Sequence, residues 1–69
     1  MLNLVTFDSV IDYLKAQGDS WVNEVYIAAD NGWSVQEVCH YLKKLKSQGL
    51  VEQLCEKDGD CWRIVSKQS

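Results

Sequence analysis

Apolar positions recur with a helical period in two stretches of the chain. Phe7, Val10, Ile11 and Leu14 stand at i, i+3, i+4 and i+7, one face of an amphipathic helix, while Asp8, Asp12 and Lys15 fall on the other side. Thr6 suits the N-cap of this helix, Asp8 its first turn and Gly18 its C′ position. An earlier start, carrying Leu2 and Leu4 from an Asn3 cap, stays open. Val35, Val38, Leu42 and Leu45 make the second stripe. Ser34-Val35-Gln36-Glu37 fits a capping box at its start, and the helix runs to Gln48 before Gly49 ends it. Between the two, Ser20-Trp21-Val22 predicts a brief strand. Asn23 then caps a short helix from Glu24 to about Asp30, with Ile27 and Ala28 turned inward, and Asn31-Gly32 forces a turn.

The last third alternates apolar and polar residues around an Asp-Gly pair. Leu50 to Glu56 and Cys61 to Ser66, joined by Lys57-Asp58-Gly59-Asp60, predict a β-hairpin. Two registers are open. A two-residue loop pairs Glu56 with Cys61 and puts Cys55 beside Trp62. A three-residue loop with a bulge at Gly59 sets Cys55 across from Cys61. Only the second permits a cross-hairpin disulfide and redox sensing through it, because a shift of one residue turns the thiols to opposite faces.

The fold class that emerges is α+β. Sixty-nine residues allow one domain, spanning the whole chain, with a small core, and no repeat or linker interrupts it. The longest apolar runs are a few residues, which excludes a membrane span, and the N-terminus shows no basic n-region or full apolar h-region. A cytoplasmic location is expected. Cys39, Cys55 and Cys61 make an odd number at spacings without metal-binding character, and one histidine, His40, joins them. No metal or other cofactor is expected, and reduced thiols are favoured. No phosphate-cradling glycine loop or paired acids appear, so the chain is not expected to be an enzyme.

The succession helix, short strand, helix, tight turn, helix, hairpin resembles the winged helix-turn-helix family over residues 6–65. The most specific stretch is Ser34-x-x-x-Val38-x-x-x-Leu42-x-x-Leu45-x-x-x-Gly49-Leu50-Val51, similar to a recognition helix leading into a wing. Trp62-Arg63-Ile64 resembles the closing wing strand. Two positions depart from the family pattern. Asn31 stands where an apolar residue is usual, and the hairpin tip carries Asp58 and Asp60 with Lys57 alone. The resemblance implies a small DNA-binding transcriptional regulator whose third helix enters the major groove of double-stranded DNA.

Charge bears on that implication in two directions. The net charge of −3 argues against a uniformly basic surface. Residues 1–33 hold five acids and one base, whereas residues 34–49 hold Lys43, Lys44 and Lys46 against Glu37. The candidate recognition helix is therefore the net-positive part of the chain. With Val38, Leu42 and Leu45 inward, Gln36, His40, Lys43 and Ser47 lie within about 50° of the outward direction, with Lys44 beside them. An amide and two lysines on one stripe suit adenine, guanine and phosphate. The same stripe also suits any solvated helix face. Asn23 and Ser34 mark helix N-termini able to meet phosphates, and Arg63 can reach the DNA backbone or pair with Glu52 or Glu56. Lys46, on the flank, either meets phosphate or covers apolar surface with its stem. His40 is a candidate phosphate or base contact, against an ordinary exposed histidine. Cys39 beside the stripe is read as an inert thiol.

One such domain touches few phosphates, so a homodimer or a protein partner is expected, with the first helix a reasonable dimer surface. The alternative function is a winged-helix adaptor that binds protein through an acidic surface and has little DNA affinity. Trp21, Trp33 and Trp62 are expected to anchor the core, with Trp33 the most exposed of them.

Overall fold

Thr6 opens the first helix by a reciprocal cap. Its hydroxyl accepts the Ser9 N–H at 3.1 Å, and the Ser9 hydroxyl accepts the Thr6 N–H at 2.8 Å. Helix α1 (Phe7–Ala16) then buries Val10 and Leu14, and Gly18 follows its C-cap in the left-handed region, as the spacing predicts. Residues 4–65 are described by this computed structural model. The predicted Asn3 cap and Ser66 strand end lie outside the described residues.

The predicted short strand starts two residues later and ends one residue later than expected, as β1 (Val22–Asn23), because Val22 pairs with Trp62 and Asn23 with Cys61. Asn23 is thus the last strand residue and also the cap of α2 (Glu24–Asn31), its side-chain oxygen accepting the Val25 N–H at 2.8 Å. Ile27 and Ala28 are buried, as expected. Gly32 ends α2 at φ +68, where a side chain would be strained. The Trp33 N–H then closes the turn on the Ala28 carbonyl at 2.8 Å.

Helix α3 (Val35–Ser47) buries Val38, Leu42 and Leu45. Two expectations fail at its start. Ser34 makes no side-chain cap hydrogen bond, so there is no Ser34–Glu37 box; the reciprocal cap of this chain is the Thr6–Ser9 pair. Backbone groups hold this end instead, the Ser34 carbonyl accepting the Val38 N–H at 3.0 Å. Val35, in the first turn, stays exposed rather than joining the buried stripe.

Strands β2 (Val51–Leu54) and β3 (Cys61–Ile64) are antiparallel, and β3 is the central strand in the order β1-β3-β2. The register pairs Leu54 with Cys61, which is neither register drawn from the Asp-Gly pair. The connecting loop is longer, because the Asn23 amide donates to the carbonyls of both Asp58 and Gly59, each at 3.3 Å, and draws the tip toward α2. Strand alternation that sets Leu54 with Cys61 sends Cys55 to the other face, and all three thiols are free. This removes the disulfide and the redox sensor built on it.

Helices and sheet meet over one apolar layer of Val10, Leu14, Ile27, Val38, Leu42 and Trp62. Burying each such aliphatic side chain is worth about 1.5–3 kcal/mol relative to exposure. Trp62 is fully buried, while Trp21, at 38% exposure, and not Trp33, is the most exposed tryptophan. The indole N–H of Trp33 is buried without an acceptor among the described residues.

Gly59 is the residue that permits the tip to approach α2. Its φ is +118, and a Cβ there would stand 3.1 Å from the Asn23 Oδ1. Gly59→Ala is expected to lower the unfolding free energy by about 1–3 kcal/mol, read as a shift in urea midpoint. Lys57→Ala in the same tip should leave the midpoint unchanged.

Candidate nucleic-acid interface

The buried stripe of α3 fixes what its opposite side presents. Gln36, His40, Lys43, Lys44 and Ser47 are all exposed, so the fold brings together the outward stripe expected from the sequence. Lys43 and Lys44 make no ion pair among the described residues, where the pair formed is Arg63 with Glu52. The Ser47 hydroxyl donates to the Lys44 carbonyl at 2.6 Å and so serves the end of its own helix. His40 lies edge-on to Tyr41, with ring centroids 5.5 Å apart, and Tyr41 in turn meets Phe7 of α1 at 4.7 Å.

The remaining expected site residues are occupied or isolated. Both polar atoms of the Asn23 side chain are engaged, in the α2 cap and in the hairpin tip. Ser34 is exposed at the α3 N-terminus, away from the stripe's lysines in sequence. Arg63 donates from Nε to Glu52 at 2.7 Å, and its guanidinium carbon lies 4.5 Å from the ring centroid of Trp21. It thus joins β3 to β2 and to the segment before β1 on the outer face of the sheet. Such an exposed pair contributes at most about 1 kcal/mol. Lys46 donates to the Gln53 Oε1 at 2.8 Å, and Gln53 donates to the Asp60 carboxylate at 2.6 Å. This chain of bonds links the end of α3 through β2 to the hairpin acid Asp60.

Acidic groups that sequence patterning did not connect gather beside α3. The buried indole of Trp62 donates to Glu24 Oε1 at 3.0 Å, and the Cys39 thiol lies near the same carboxylate. Burial, then the adjacent Glu24 carboxylate and the charge of Asp60, push the Cys39 thiol up to about 11, with Lys43 opposing. Burial chiefly, with the charges of Glu56, Asp60 and Glu24, also pushes the Cys61 thiol up. Neither thiol is poised for nucleophilic chemistry, which agrees with the inert reading of Cys39. Tyr13, raised to about 12 by burial and by its 2.8 Å bond to Asp30, joins α1 to α2. Among the described residues no three His, Cys, Asp or Glu side chains converge as metal ligands, and no helix is long and apolar enough to cross a membrane.

Sequence patterning also passed over Val25 and Tyr26. Both follow directly from the inward placement of Ile27 and Ala28, which turns the preceding residues outward. With Asn23 and Asp58 they line a hollow of about 380 Å³ at the start of α2.

Comparison of the chain with family models, curated proteins and solved structures gave no match. The stripe on α3 and the acids beside it are therefore read on their chemistry alone.

The raised thiol and phenol set a pH dependence. Both groups hold their protons more tightly when folded, so their stabilisation is complete below the unfolded values, 9.0 for Cys39 and 10.0 for Tyr13. It is lost as pH rises toward about 11 and about 12 respectively. Urea midpoints are expected to fall steadily from pH 9 upward, and Cys39→Ala should lessen the earlier part of that fall, to which the raised Cys61 thiol also contributes.

Proposed function

We propose that the chain is a small DNA-binding transcriptional regulator of winged helix-turn-helix type, with α3 as the helix that enters the major groove. The observation that carries this reading is the exposed stripe Gln36, His40, Lys43 and Lys44, whose lysines are left unpaired in a chain of net negative charge. A helix docked in the major groove presents polar side chains to base edges and cations to phosphates along one face, as this stripe does. The element order, and a sheet with the last strand in its centre, are compatible with that family.

Contacts from the other elements are weaker in this reading than the family resemblance implies. The α2 N-terminus is capped by Asn23, begins with Glu24 and lies against the acidic hairpin tip, so it attracts no phosphate. Gln36, His40, Lys43 and Lys44 therefore carry duplex recognition, and few counterions are released. The acids at α2 and the hairpin tip favour the second reading, a protein-binding adaptor.

Fluorescence anisotropy with duplex DNA across a salt series separates the two. Duplex binding should weaken as salt rises, with Lys43→Ala and Lys44→Ala each lowering the slope of log affinity against log salt by about 1. No binding to any duplex at low salt would reject the DNA reading and leave the adaptor.

A further inference from the structure

Opposite charges adjoin on one side of this molecule. Lys43 and Lys44 make no ion pair among the described residues, and Lys43 lies on the side of α3 nearer the hairpin. Beside it the hairpin tip brings Glu56, Asp58 and Asp60 toward the start of α2, held there by the Asn23 amide. The Lys46–Gln53–Asp60 chain of bonds joins the two zones. The Cys39 thiol lies between them, acted on by Lys43 and by Glu24 and Asp60. Next to the acids, Tyr26 and Val25 are 70% and 47% exposed. In a chain with so small a core, a side chain as large as Tyr26 gains little from that position in the monomer.

We propose that this side of the protein pairs with a second copy of the chain about a two-fold axis, each copy's Lys43 lying on the other's Glu56–Asp58 tip and Val25 and Tyr26 covered between them. A two-fold contact requires a surface complementary to itself. Adjoining zones of opposite charge meet that requirement, because the rotation lays each zone on its opposite. A basic peptide would answer the acidic zone alone and leave Lys43 unmatched, whereas a second copy answers both. The contact covers the strip assigned to DNA, so, resting on the duplex reading for this consequence only, self-association and duplex binding exclude one another. This dimer is then a form that withholds α3, not one that presents two copies of it.

Analytical ultracentrifugation of the full chain, without DNA, tests the pairing. Association should be seen at low ionic strength and weaken by about tenfold or more at high ionic strength. Lys43→Glu and Asp58→Lys should each abolish it, since each places like charges opposite one another in both halves of the contact. An equimolar mixture of the two variants should associate again, because a mixed dimer regains both opposite-charge pairs. Tyr26→Ser should weaken association while leaving the thermal midpoint unchanged at high ionic strength, where the chain is monomeric. A monomer at all concentrations in low salt, a dimer indifferent to either reversal, or a mixture no better than its components would overturn the proposal. None of these outcomes bears on duplex affinity, so this inference and the DNA reading fail separately.

Discussion

Burying an indole N–H without an acceptor costs free energy, and that of the fully buried Trp62 is met by the carboxylate of Glu24. Trp62 is fully buried at the centre of the sheet, opposite Val22 on one side and Gln53 on the other. Its N–H therefore dictates where the start of α2 lies relative to the central strand. The charge on the acceptor strengthens the bond, and a carboxylate in the first turn also suits the helix dipole. Helix α2 and strand β3 are thus tied at one side chain, with Asn23 adding the hairpin tip to the cluster.

That arrangement sets the distribution of charge. Fixing Glu24 beside β3 brings the acids of the hairpin against α2, while the inward packing of Val38, Leu42 and Leu45 leaves Lys43 and Lys44 facing water. The surface that results is divided, with cations along α3 and anions at the tip. Division, more than the overall −3, governs what the protein can bind. A duplex is answered by one half only, and a surface of the same kind answers both.

Local features of the fold were legible because their causes are local. The Thr6 cap, the Asn23 cap, the Gly32 turn and the inner faces of α1 and α3 each follow from side-chain spacing or a backbone preference within a few residues. The exposed stripe on α3 followed from the same geometry. The hairpin register was not legible, since it depends on the Asn23 amide holding carbonyls 35 and 36 residues away. The anchoring of Trp62 on Glu24, and of Lys46 through Gln53 on Asp60, likewise required knowing which elements meet. Ser34 shows the converse case: a good local cap pattern whose hydroxyl is not used, because backbone bonds and the burial of Val38 already hold the start of α3.

Whether α3 alone reads DNA is best tested by following backbone amide resonances residue by residue as duplex DNA is added. At concentrations where the free chain is monomeric, the changes should cluster at Gln36, His40, Lys43, Lys44 and Ser47 and spare Asn23, Tyr26 and Asp58. Changes centred on the hairpin tip and the start of α2, or none along α3, would contradict the assignment of this helix as the binding element.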